Sequence, residues 1–151
     1  VFITGDDCTL ENFTVKNCSK DSFSNIMIQS NGAKILNNVI VGGSGWGLYL
    51  YHASNVVIVN NTFIDTGINI IGGLTSWNTH TIKNNTVNGK KLCYYSNVAN
   101  KTFSESVGQL ILANCTNFVV QNVNISNVDQ GITLGFSSNN SIINSSIQSI
   151  I

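Results

Sequence analysis

Two adjacent carboxylates, Asp6 and Asp7 in the segment Gly5-Asp6-Asp7-Cys8, are the residues of this chain best suited to chemistry. A pair of this kind can supply the acid and the water-activating base of an inverting glycoside hydrolysis. Their setting argues for a different task. Asp7 lies three residues before the apolar Leu10, and Asn55, Asn117 and Asn139 lie at the same offset before Ile58, Val120 and Ile142. Asp and Asn share the ability to close a turn with their own side chain, so the common slot reads as a corner. A polysaccharide lyase would need clustered carboxylates for calcium and a Lys or Arg placed to abstract a proton α to a uronate carboxyl. Asp6, Asp7, Glu11, Asp21, Asp65, Glu105 and Asp129 are instead scattered, and only Lys90 and Lys91 beside Glu105 converge on one stretch. No residue is therefore assigned a catalytic role.

Cys8, Cys18, Cys93 and Cys115 permit three disulfide pairings, but their spacing is irregular. The simpler reading makes them small buried hydrophobes. No Cys-x-x-Cys and no Cys/His group at zinc spacing is present, so no metal site is expected. Aromatics are the more promising resource. Trp46, Tyr49, Trp77, Tyr94 and Tyr95 are the carbohydrate-binding candidates, with Tyr51 between them in sequence, because outward rings can stack on sugars. Tyr49 alternates with Leu48 and Leu50 and is expected to face out; the competing use of these rings is packing. Asn-x-Ser/Thr sequons occur at Asn12, Asn17, Asn60, Asn84, Asn100, Asn114, Asn124, Asn139 and Asn144. Asn100 is the candidate for an exposed glycan in a secreted protein.

The elements that hold these residues follow from a repeat. The pattern apolar-x-Asn-x-x-apolar occurs at Leu10/Asn12/Val15, Ile35/Asn37/Ile40, Ile58/Asn60/Phe63, Ile82/Asn84/Val87, Val120/Asn122/Ile125 and Ile142/Asn144/Ile147. The steps between asparagines are 25, 23, 24, 38 and 22 residues, so one insertion interrupts a repeat of about two dozen residues. A second short strand with alternating apolar residues precedes each hexad, as in Ile26/Ile28, Leu48/Leu50 and Leu110/Leu112. Polar clusters such as Ser30-Asn31-Gly32 and Ser137-Ser138-Asn139-Asn140 turn the chain between strands. Too little chain separates the strands for a crossover helix, which leaves an all-β parallel β-helix of about six to seven rungs, roughly 30 Å along its axis. Asn12, Asn37, Asn60, Asn84, Asn122 and Asn144 are expected to stack as a buried ladder. The insertion, at about residues 89–106, is expected to contribute a strand over Lys91–Tyr95 and then a polar excursion over Asn97–Ser106.

Composition narrows the partners. The 151 residues make one domain, with 42% apolar but only 9% charged residues, against about 25% in an ordinary globular chain. Seven Lys balance seven Asp and Glu and there is no Arg, so nucleic acid is not an expected partner. No apolar run reaches 18 residues, so no membrane span is expected here. The chain starts on Val1 without Met and ends on Ile150-Ile151, which is the look of a window from a longer array.

The segment Gly131-Ile-Thr-Leu-Gly-Phe-Ser-Ser-Asn-Asn-Ser-Ile-Ile-Asn resembles the parallel β-helix repeats of NosD-like and archaeal cell-surface proteins. The resemblance implies a right-handed, pectin-lyase-like β-helix over the whole chain, and NTVNGKKLCYY followed by GQLILANCTN is similar to an inserted rung of archaeal surface members. Gly5-Asp6-Asp7-Cys8 resembles the paired-Asp segment of polygalacturonases, but no Asn-Thr-Asp, Gly-His-Gly or Arg-x-Lys segment accompanies it. NosD-like proteins raise the question of copper, which asks for clustered His, Met or thiolate ligands. Met27 stands alone, and His52 and His80 lie six and two residues before their anchors, so they are expected as ordinary turn or surface histidines. The expected function is a structural β-helix of an extracellular surface-layer, adhesin-like or fibre protein, without cofactor. Its partners would be neighbouring rungs of the same or another chain in homotypic assembly. The alternative is a carbohydrate-binding or carbohydrate-active β-helix working through the aromatics and the insertion.

Overall fold

The computed structural model describes residues 1–16, 23–43 and 45–149; Asn17, Cys18 and Asp21 lie outside them. Strands come in sets of three, one set per turn of a coil. The first turn holds β1 (Phe2–Ile3), β2 (Thr9–Glu11) and β3 (Thr14–Val15), and the second β4 (Ser24–Ile28), β5 (Lys34–Leu36) and β6 (Val39–Val41). The third holds β7 (Trp46–Tyr51), β8 (Val57–Val59) and β9 (Thr62–Ile64). In the fourth, β10 (Ile68–Ile71) is followed by a one-turn helix α1 (Thr75–Asn78), β11 (Thr81–Lys83) and β12 (Thr86–Val87). Each strand pairs in parallel with its counterpart one turn away, so that Leu10, Ile35, Ile58 and Ile82 lie in register. The protein is thus a parallel β-solenoid. Its inward residues, among them Ile26, Leu48, Ile35, Ile58, Ile40 and Phe63, are buried in one continuous core.

The insertion does more than lengthen the coil. After β12 the chain turns through Asn88 and Gly89, both with positive φ (50° and 75°), the geometry of a two-residue type I′ hairpin. The next strand, β13 (Lys90–Ser96), pairs antiparallel to β12, with Val87 opposite Lys90. All later strands stack in parallel on the reversed direction: β14 (Thr102–Phe103), then β15 (Gln109–Ala113), β16 (Val119–Gln121) and β17 (Asn124–Val128), then β18 (Ile132–Gly135), β19 (Ser141–Ile143) and β20 (Ser146–Ser149). Four turns therefore run one way and three the other, and a seven-stranded sheet ordered β3-β6-β9-β12-β13-β15-β18 belongs to both. Within it, only the β12–β13 pairing is antiparallel. The strand expected at Lys91–Tyr95 is present. The polar excursion expected over Asn97–Ser106 is not what forms. Asn97 and Asn100 N–H donate to the carbonyls of Ala113 and Thr116, and Thr102–Phe103 pairs with Val119–Val120, so this stretch builds most of a rung. Hexads four and five are accordingly not stacked on one another, because β16 pairs with β14 rather than β11.

The asparagine ladder also needs correction. Asn12, Asn37, Asn60, Asn84, Asn122 and Asn144 recur as expected, but their side chains are exposed. What they share is a left-handed backbone, with φ between 47° and 61°. The buried amides lie one residue later, at Asn38, Asn61 and Asn85. Each grips the preceding turn with both atoms of its amide. Asn61 Oδ1 accepts the Asn38 N–H at 2.9 Å while its Nδ2 donates to the Ile35 carbonyl at 2.8 Å. Asn38 does the same for Phe13 N–H and the Leu10 carbonyl, and Asn85 for Asn61 N–H and the Ile58 carbonyl. The Nδ2 of Asn38 and of Asn61 also donates to the next Oδ1 along the stack.

The two roles explain the unusual composition. Among the described residues eighteen other than glycine have positive φ; apart from Asp7, Asp65, His52 and Phe136 they are all asparagines. Asn tolerates this region far better than other residues with a side chain, whereas most pay about 1–2 kcal/mol to enter it. Corners that each demand this conformation fill with Asn, and little room remains for Lys and Glu.

Two substitution pairs test this division. Asn61→Leu strands the buried Asn38 N–H and Ile35 carbonyl, at about 1–3 kcal/mol per group, so a loss of about 3 kcal/mol is expected in urea unfolding. Asn60→Gly should change stability by less than about 0.5 kcal/mol, because the exposed corner needs only the backbone angle. Phe136→Asn and His52→Asn should each raise stability, by up to about 1 kcal/mol, by relieving a residue poorly suited to positive φ.

Candidate functional site

Asp6 and Asp7 fall at a corner and are spent there. Asp6 Oδ1 accepts the Asn31 N–H at 2.7 Å, and Asp7 has φ 56° like Asn55, Asn117 and Asn139 in the same slot. Asn31 Oδ1 in turn accepts from the Ser54 N–H and hydroxyl, so the corner carries a short polar ladder along the outside of the first coil. Lys91 and Glu105 meet at 3.5 Å, but both are well exposed, and a pair of that kind contributes little. Among the described residues no group of three His, Cys, Asp or Glu could hold a metal ion, and Cys8, Cys93 and Cys115 are free thiols.

The aromatics divide into three groups instead of forming one platform. Trp46, Tyr49 and Tyr51 form a row along β7, with ring centroids 4.7 and 5.7 Å apart, and Tyr51 meets His52 edge-on at 4.6 Å. Tyr49 alternates outward as expected, yet it is 7% exposed. Burial, and then the neighbouring Tyr51, push its phenol above the ordinary value. Trp46 is half-buried and Tyr51 exposed, so these two present the row to solvent. Tyr95 has gone inward. It packs at 5.9 and 5.4 Å from Phe103 and Phe118, with Lys101 over its ring at 5.2 Å, and is part of the second coil's packing. Trp77 and Tyr94 form the third group, joined by a hydrogen bond from the Tyr94 hydroxyl to the Trp77 carbonyl at 2.5 Å.

This third group belongs to a seam between the two coils. Period-two alternation along β15 sends Leu110 and Leu112 to the second coil and Gln109, Ile111 and Ala113 to the first, which is why all five residues of the strand are buried. Gln109 marks the contact. β10 ends its sheet, and the Gln109 amide takes the place of a further strand: Oε1 accepts the Ile68 N–H at 2.9 Å and Nε2 donates to the Ile68 carbonyl at 2.8 Å. The same Nε2 reaches the Gln130 carbonyl at 2.9 Å. Nearby, Thr66 Oγ1 donates to Asp129, whose carboxyl is pushed up by burial despite that bond and N–H contacts from Asp129, Gln130 and Gly47. At the far end of the seam the Trp77 ring lies directly on Gly135, leaving no space for a Cβ.

His80 is the other correction. His52 is exposed at a turn, but His80 is buried, 7% exposed, and its burial pushes the imidazole below its ordinary value against the opposing effect of the Ser76 carbonyl. Nδ1 accepts the Val56 N–H at 3.2 Å and Nε2 lies 2.7 Å from the Ser76 carbonyl. The slot explains the role: His80 and Asn140 both lie two residues before their anchor, and Asn140 Oδ1 accepts the Phe118 N–H in the same way. Asn100 is exposed at a corner, φ 57°, and its Oδ1 accepts from Asn117 Nδ2 at 3.1 Å.

Comparisons with protein-family models, with curated proteins and with solved structures find no match to this chain. Its outward features are the β7 aromatic row, the asparagine corners, and the last rung, where Leu134, Ile142 and Ile147 stand 40–46% exposed.

Gly135→Ala tests the seam. The added methyl collides with the Trp77 ring and should cost about 1–3 kcal/mol by overpacking, measured by thermal unfolding. Gly135→Ala in a Trp77→Ala background should recover most of that loss, since the two groups occupy one space.

Proposed function

We propose that this solenoid is a structural element of an extracellular surface-layer, adhesin-like or fibre protein of the NosD-like, archaeal cell-surface type, with no catalysis in these residues. One observation carries the reading. The last rung presents unpaired edges of β18, β19 and β20 together with the inward positions Leu134, Ile142 and Ile147, a surface shaped to receive another rung. Because every rung repeats the same corners and grips, a neighbouring rung from the same or another chain can continue the stack. Head-to-tail addition of that kind builds fibres when the rotation between copies does not close a ring. The asparagine-rich corners, uncharged and outward, suit a surface that lies against identical copies, and Asn100 is the corner most suited to carry a glycan.

The aromatic row on β7 supports a second reading, in which Trp46 and Tyr51 stack on the rings of a polysaccharide lying along the outer face.

The primary reading is tested by sedimentation of the 151-residue chain over a range of concentrations. Concentration-dependent association, suppressed by Ile142→Lys with Ile147→Lys, is expected. A monomer at all soluble concentrations, or association indifferent to those lysines, would overturn it. Retention on a glycan array that Trp46→Ala and Tyr51→Ala abolish would establish the second reading.

A further inference from the structure

The helix α1 is too short to hold itself. A single turn is far below the length at which a helix is stable in water, and its first turn has no side-chain cap. Besides the packing of the Trp77 ring on Gly135, four side-chain hydrogen bonds hold it. His80 reaches the Ser76 carbonyl, Thr79 Oγ1 donates to the Thr75 carbonyl at 2.7 Å, the Tyr94 hydroxyl donates to the Trp77 carbonyl, and Asn78 Nδ2 donates to Asn97 Oδ1 at 3.0 Å. Of these four, only the first is both buried and able to change protonation near neutral pH.

The two bonds of His80 fix its state. Val56 N–H can only donate, so Nδ1 must be an unprotonated acceptor; the Ser76 carbonyl can only accept, so Nε2 must carry the proton. A second proton would set an N–H against an N–H and leave a buried cation with no carboxylate beside it. α1 has no titratable side chain to offset the charge, and neither has the Val56–Val59 segment. β13 contributes Tyr94, neutral in this range, with Cys115 behind it. The corner after β7 contributes His52, whose ring is turned to Tyr51, and β11 contributes only the exposed Lys83. Everything that faces His80 is therefore neutral or basic.

We propose that His80 is an acid-released latch: neutral, it pins α1 and Trp77 onto the sheet of β13, β15 and β18; protonated, it releases the helix and uncovers that part of the seam. The sign follows from linkage. The closed state holds the imidazole below its ordinary value of about 6.5, so it binds fewer protons than the open state. The latch is at full strength above about pH 6.5 and weakens as the pH falls, by up to about tenfold in population per pH unit while one proton is taken up.

Hydrogen exchange of the whole chain, corrected for intrinsic pH dependence, reads this directly. Between pH 7 and pH 5 the Val56 amide and peptides covering 72–80 should lose protection, by up to about tenfold per pH unit below about pH 6.5, while peptides from β4 and β7 keep theirs. His80→Asn, which supplies the same acceptor that Asn140 offers Phe118, should abolish the change. Loss of protection uniform across the chain, or the same local loss in His80→Asn, overturns the proposal. Should that variant fail to fold, imidazole titration by NMR in the native chain decides: His80 must titrate below the ordinary imidazole value of about 6.5, with the resonances of α1 moving with it, and titration at the ordinary value overturns the latch.

Discussion

A corner amide that the parallel ladder leaves unpaired is the constraint on which this structure depends. At each bend the chain leaves one strand and enters another, and the N–H groups at the bend point where no strand of the neighbouring turn can accept them. Burying such a group without a partner costs about 1–3 kcal/mol. The chain meets this with a side chain from the adjacent turn, and the donor–acceptor pattern is the same whether that side chain is Asn38, Asn61, Asn85 or Asn140. His80, Ser137 and Ser145 do the same work with other chemistry, accepting from Val56, Cys115 and Val123. Gln109 extends the device from a corner to a strand edge. Each turn is thereby bound to the next by polar contacts that allow only one register, while Ile, Leu and Val in the centre supply most of the burial.

Much of this was legible in the sequence, and the misreadings have physical causes. The hexads located two of the three strands of each full turn, because an inward apolar residue on either side of a bend is a demand that no other residue type meets. They did not separate the two kinds of asparagine. Asn60 and Asn61 are adjacent, recur with one period, and satisfy different requirements, one a backbone angle and the other a hydrogen bond. Only the second is buried. Substitution tolerance differs accordingly in the repeat itself: the first slot keeps Asn in all six hexads, whereas the second holds Asn, Phe, Val or Ser.

The reversal at β12–β13 was written in Asn88-Gly89, the strongest short hairpin signal there is. It was masked by the apparent continuity of the hexads on either side. Spacing along a chain reports how many residues lie between two strands and is silent about direction. Residues 90–103 show the hexad spacing once, at Val98/Asn100/Phe103, but out of phase with the others, since Phe103 pairs with Val120, the first apolar position of its hexad, and Lys90–Ser96 begins a coil on a hairpin partner and not on a preceding rung. Tyr94, Tyr95 and Trp77 were candidates for an outer surface because aromatic residues near an insertion suit either role. Which role they take depends on β15 being covered on both faces, a fact of topology that no local pattern carries.

The shared seven-stranded sheet has a consequence for how such a chain can change length. The seam is made by the last turn of the first coil and by the strands of the second that lie against it, through Gln109, Trp77 and Tyr94. Turns farther away, from β1 to β6, take almost no part in it. A duplication or deletion of one repeat among them would shift the numbering of everything downstream and leave the junction intact. The hairpin is in that sense a fixed origin from which two arrays of variable length can grow, each free to gain or lose a turn without renegotiating the joint between them.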